Sequence, residues 1–311
     1  MTHESERQRA TKRSSIPVLV LLAVVLGASL AAGLPDRKKN RPAAAPRLET
    51  PVVSAPSTSG PVPPRGVDAR GRSLTRLSRL AAEVIPGVPA YLWRHGSAPA
   101  AVGMVLAYYD THGFPDLLPG DASAQTDAVN LALASVGHYN DYALPLDTAP
   151  NILADKSEPP EGDEHVSDCL ADFLKTSWSV TEAFYGWTWS IDVKPGYEGY
   201  VKLATKYEPL MSYSHSGNIT FLTVRNEIES RRPVVFLVDT DGNGVTDHFV
   251  TVVGVMNEDG TDYYGCYHTW DKLLHWYPYR TMASGATWGV QSAYLFFLSH
   301  GLFPPVKFAV E

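Results

Sequence analysis

An uncharged run from Ser14 to Pro35, apolar from Ile16 to Leu34, is followed at once by a proline-dense stretch, and the two divide the chain before any motif is read. As a helix the apolar part would be about 28 Å long, enough to cross the hydrocarbon core of a bilayer. Arg7, Arg9, Lys12 and Arg13 precede it, and Ser29 and Ala31 supply small residues for a signal cleavage site. Residues 16–34 are therefore expected to be a transmembrane helix or a signal peptide, with 1–15 as a short basic tail. Arg37, Lys38, Lys39 and Arg41 lie just beyond the span, so the flanking charges leave its orientation open. Residues 35–72 hold eight prolines among Ala, Ser and Arg and no apolar period, the composition of a disordered linker. A core can then be built only from residues 73–311, read as one domain.

The charge is split along the same line. The net −7 of the chain is the sum of +7 over residues 1–75 and −14 over the rest, and all seven tryptophans lie at or beyond Trp93. A folded part that acidic would repel phosphate backbones, so nucleic acid is not expected as a partner. The expected setting is a domain outside the cytoplasm, anchored by residues 16–34 or secreted if they are cleaved. Cys169 and Cys266 match no zinc spacing; they are either one bridge or two buried thiols.

Within the domain, Ser73 is expected to cap a short helix carrying Leu74, Leu77, Leu80 and Ala81, stopped by Pro86. The periodicity predicts helices over Pro99–Asp110, Thr126–Ser135 and Leu222–Glu229. It predicts strands over Pro233–Val238, His248–Met256, Tyr263–Trp270, His275–Arg280 and Ala293–Leu298. Helices first and an antiparallel sheet afterwards is an α+β pattern.

The segment from Tyr91 to Met104, YLWRHGSAPAAVGM, places a small polar residue at a helix start, where N–H groups and the helix dipole stabilise a nucleophile's anion. This segment resembles the C-thirty-nine-like peptidase family, bacterial papain-like cysteine peptidases related to bacteriocin leader peptidases. The resemblance continues through Tyr108-Tyr109-Asp110, Gly113–Leu117, Pro119-Gly120-Asp121, Asp168–Phe173, Val238–Gly244, Asp247–Thr251 and Thr269-Trp270, and covers about residues 86–298. It implies a papain-like fold and a cleft for an extended peptide. It also implies that Ser97 stands where the family has its nucleophilic cysteine, Ala100 where it has threonine, and His268 where it has the acid before Thr-Trp. His248 matches the general base, and Tyr91 stands where relatives often carry an oxyanion-hole glutamine.

A serine hydroxyl is not ionised by a helix start and an imidazolium as a thiol is, so it needs a base held in the right tautomer. Asp271 or a backbone carbonyl is the candidate to orient His248. The leading expectation is a peptidase-like module that has lost its nucleophile and binds a peptide or other ligand. The alternatives are an active peptidase using Ser97 with His248, and a structural envelope protein without a ligand. At the level of single residues, Ser97 also reads as an ordinary helix cap and His248 as a hydrogen-bonded core residue.

Three further patterns are ambiguous. In the loop 239–247, Asp239, Asp241, Asn243 and Asp247 supply oxygens at spacings that match half of a calcium loop, but Val250 offers no closing carboxylate. The same residues read as an Asp/Asn/Gly turn between strands. His95, His248 and His268 would make a metal site if they converged. Trp187, Trp189, Tyr197 and Tyr200 line a groove or pack in the core.

Overall fold

The structure is a computed structural model that describes residues 60–142, 166–177, 186–215 and 219–300. The chain divides after Pro51, and every described residue belongs to the second unit, Val52–Glu311. The expected basic tail and membrane or signal segment lie outside the described residues, as do residues 35–59 of the linker. Among the described residues no helix is long and apolar enough to cross a membrane.

In chain order the elements are α1 (Arg76–Ala81), β1 (Glu83–Val84), α2 (Ser97–Thr111), α3 (Asp127–Leu133), α4 (Val136–Tyr142), α5 (Leu170–Phe173) and α6 (Ser190–Ala204). They continue with β2 (Glu208–His215), α7 (Phe221–Glu229), β3 (Val234–Asp239), β4 (His248–Glu258), β5 (Thr261–Tyr267), β6 (His275–Pro278) and β7 (Gly289–Ser299). The strands pair antiparallel in the order β2-β7-β3-β4-β5-β6, with β1 pairing to β4. Helices on an antiparallel sheet make the α+β arrangement that the periodicity predicts.

The centre of the domain is the contact between α2 and β4. All residues of α2 from Ser97 to Tyr109 are buried, as are the first nine of β4. Alanine, glycine and valine on every side of α2 let neighbours close around it, and a helix apolar all round is a buried one. Two hydrogen bonds fix the register: Phe249 N–H donates to Ser97 Oγ at 3.1 Å, and Thr251 Oγ1 donates to the Ala101 carbonyl at 2.9 Å. Four residues of helix rise about 6 Å and two residues of strand about 6.6 Å, so helix and strand keep step.

Several boundaries differ from the sequence expectation. α1 is capped by Thr75, whose Oγ1 accepts Ser78 N–H at 3.1 Å, and not by Ser73. The chain leaves this helix before Pro86, because Glu83 and Val84 pair with β4. The helix expected over 126–135 ends at Leu133 and a second begins at Val136. Residues 60–72, expected as the end of a disordered linker, are tied to the sheet: Arg72 N–H donates to the Trp276 carbonyl at 2.8 Å, and the Arg72 guanidinium meets the Tyr263 hydroxyl and the Glu258 carboxylate.

Candidate functional site

Ser97 is the first residue of α2, and the cap is Gly96, which is extended and has no side chain to offer. Ser97 therefore does not cap its own helix. Its hydroxyl faces β4 where the ladder to β5 has not yet begun, since that pairing starts at Thr251. The N–H of Phe249 lies beyond that ladder, and Ser97 Oγ accepts it. The serine is 4% exposed, and the whole first turn of α2 is buried with it.

His248 opens β4, one residue before that N–H. It is fully buried, and its Nε2 lies 2.6 Å from the His268 carbonyl. A carbonyl only accepts, so Nε2 carries the proton and Nδ1 is the basic nitrogen. Burial pushes the ring's pKa down to about 3, with the nearby His268 ring acting in the same direction and the carbonyl bond opposing. The Trp270 indole stacks on the imidazole with centroids 4.1 Å apart and planes at 16°, closing one face. Thr269, at φ 68, turns the chain between them, and its carbonyl accepts Trp93 N–H at 2.7 Å.

Asp271 is not the orienting group. Its carboxylate binds His275 Nε2 at 2.8 and 3.1 Å. The His268 side chain points away from His248: Nε2 donates to the Ala69 carbonyl at 3.0 Å and Nδ1 accepts Trp270 N–H at 3.3 Å. Of the orienting groups considered from sequence, it is a backbone carbonyl that holds the base. Tyr91 is wholly buried, and its hydroxyl donates to the Ala122 carbonyl at 2.6 Å.

The loop 239–247 is tied up within itself. Asp239 Oδ1 accepts Gly242 N–H at 2.7 Å and its Oδ2 accepts Gly244 N–H at 2.7 Å. Asp247 accepts the N–H and hydroxyl of Thr240, and Asp241 and Asn243 accept N–H groups two residues on. These are the bonds of a turn between β3 and β4, and burial, with the neighbouring Asp241 carboxylate acting the same way, raises the Asp239 carboxyl. His95 also stands apart from His248 and His268, packing edge-on against His138 with centroids 4.4 Å apart.

That second cluster was not legible as a unit. His138 Nδ1 lies 2.6 Å from Asp172 Oδ1, and Asp172 Oδ2 accepts the N–H groups of Asp168 and Cys169 at 2.9 and 3.1 Å. Burial alone would raise the Asp172 carboxyl, but His138 and those N–H groups hold it well below the usual carboxylate range. Burial pushes the Cys169 thiol up to about 12 and the Cys266 thiol well above its ordinary value, and both are free. The signal in the sequence is the spacing of Asp172 three residues after Cys169, the reach of a capping box.

Tyr197 and Tyr200 are core residues, with hydroxyls on the Phe297 and Leu117 carbonyls, whereas Trp189 is exposed. Two cavities open on the described surface, of about 440 Å³ beside Asp110, Pro119 and Tyr200 and about 280 Å³ beside Arg72, Tyr277 and Trp288. Neither is lined by Ser97 or His248.

No family model matches the chain, and no curated protein matches it. Among solved structures, it is similar to digestive procathepsin L 3 of Tenebrio molitor larval midgut at 14% identity and TM-score 0.30, over 77% of this chain and 75% of that one. It is similar to SERA5E of Plasmodium falciparum at 11% identity and TM-score 0.31, over 70% of this chain and 92% of that one. A structure from work on the mite allergens Blo t 1 and Der p 1 gives 12% identity and TM-score 0.31, over 76% of each chain. Likeness at that level carries no argument about function, which rests on the site itself.

Proposed function

We propose that this is a peptidase-like module of papain-like architecture, of the C-thirty-nine-like kind, whose Ser97/His248 pair is catalytically impaired and which acts by binding an extended peptide outside the cytoplasm. The observation that carries this reading is the use made of Ser97. A nucleophile at a helix start must present its oxygen to substrate, yet Ser97 Oγ gives one of its two lone pairs to a buried backbone N–H and is almost sealed from solvent. The base is equally mismatched. An imidazole pushed to about 3 takes a proton poorly at neutral pH, and a carbonyl does not stabilise the imidazolium as a carboxylate does.

One observation favours the alternative of an active serine peptidase. The Nε2–H bond to His268 fixes the tautomer that leaves Nδ1 as the base, which is the control a serine nucleophile requires. A peptide-library digestion read by mass spectrometry separates the two, using the full chain as wild type, Ser97→Ala and Ser97→Cys. The binding reading expects no cleavage by wild type or Ser97→Ala. Cleavage by wild type that Ser97→Ala abolishes establishes the serine peptidase instead. Recovery in Ser97→Cys shows that only the nucleophile is missing.

A further inference from the structure

Beside His248, the residues between β5 and β6, those of β6 itself and Trp288 form a surface that holds residues 60–72. Five side chains there each donate a hydrogen bond to a backbone carbonyl of residues 60–72. Trp270 Nε1 donates to Gly60 and Trp288 Nε1 to Asp68, both at 3.0 Å. Ala69 is read twice, by the Tyr277 hydroxyl at 2.8 Å and His268 Nε2 at 3.0 Å, and His275 Nδ1 reads Arg70 at 2.9 Å. Three successive carbonyls are thus held by side chains and not by a strand. This differs from adding a strand to a sheet edge and is closer to the aromatic-lined grooves that take proline-rich chains. The floor is aromatic, with Tyr277 and Trp288 stacked at 3.7 Å.

We propose that this groove is a peptide-binding site that reads a backbone through its carbonyls, and that residues 60–72, which turn between Pro64 and Val67, are its resident occupant. The proposal gives the binding reading its ligand class and is independent of any chemistry at Ser97. Carbonyls are common to all residues, so side-chain identity matters little except where the groove is narrow. It is narrow at Gly71. A Cβ there would lie 2.7 Å from the Trp276 carbonyl, and the residue sits at φ +60. The site therefore takes a segment with glycine two positions after the doubly read carbonyl.

The test uses the full chain with residues 60–72 replaced by alternating glycine and serine, and a fluorescent peptide of the native 60–72 sequence read by anisotropy. The peptide is expected to bind the replaced chain, to bind it more weakly when it carries Gly71→Ala, and to bind wild type far more weakly, because its own segment competes at about millimolar effective concentration. A replaced chain with native near-UV dichroism that takes no peptide at millimolar concentration overturns the proposal. If the replaced chain does not fold, trypsin cleavage after Arg70 in full-length Tyr277→Phe decides. Losing one net hydrogen bond should raise the cleavage rate about fivefold. An unchanged rate overturns the proposal. The library digestion reads Ser97 and neither of these measurements does, so the two readings fail separately.

Discussion

Ser97 carries a hydrogen bond between α2 and β4 whose worth is measurable. Removing its hydroxyl leaves the Phe249 N–H buried without its acceptor, a loss of about 1–3 kcal/mol. Ser97→Ala should therefore lower the denaturant midpoint, and Ser97→Cys, whose sulfur still accepts weakly, should lower it less; equal midpoints for wild type and Ser97→Ala would contradict this. His248 and His268 set an acid limit. Burial holds their pKa values at about 3 and 4, against 6.5 in the unfolded chain, so below 6.5 the unfolded state binds more protons. Stability is whole above about pH 6.5 and falls as the pH drops toward 4, by about 2 kcal/mol per ring at pH 5. Thermal midpoints at pH 7.5 and 5 check this, and a flat profile would refute it. The two thiols should resist iodoacetamide in the folded protein and react after unfolding, because burial keeps both protonated. Ser97 and His248 were singled out from sequence through the motif resemblance, and the structure sets them at the starts of α2 and β4. The carbonyl that orients His248 was not, because a backbone group has no residue letter.

Among the elements, those with clean periods were found from sequence: α2, α7, β3 and β4 lie within two residues of expectation. α6 was not, and the reason is Pro195, Gly196 and Gly199 inside it. These residues oppose a helix on propensity alone. Tertiary packing reverses the preference, since a Cβ on Gly196 would lie 2.5 Å from the Phe173 carbonyl and one on Gly199 would lie 2.7 Å from the Phe173 ring. Close approach of α5 to α6 requires both glycines. Gly196→Ala should accordingly destabilise the domain by about 1–3 kcal/mol, although alanine favours a helix by about 1 kcal/mol. A raised melting temperature would show that α5 can withdraw without loss. β2 was missed for a related reason: Pro209 argues against a central strand, but β2 pairs on one side only, with β7, where proline is tolerated.

On the scale of the whole described unit, residues 60–72, read from sequence as the end of a linker, are tied to the sheet. Proline, glycine and arginine between 60 and 72 have no periodicity to read, because what holds them are side chains about 200 positions away. Along the segment the Gly60 carbonyl is held by Trp270, Asp68 by Trp288, and Ala69 by Tyr277 and His268. His268 is also the residue whose carbonyl holds His248. Residues 60–72 and the imidazole of His248 are thus joined through a single residue, His268, whose side chain holds one and whose carbonyl holds the other.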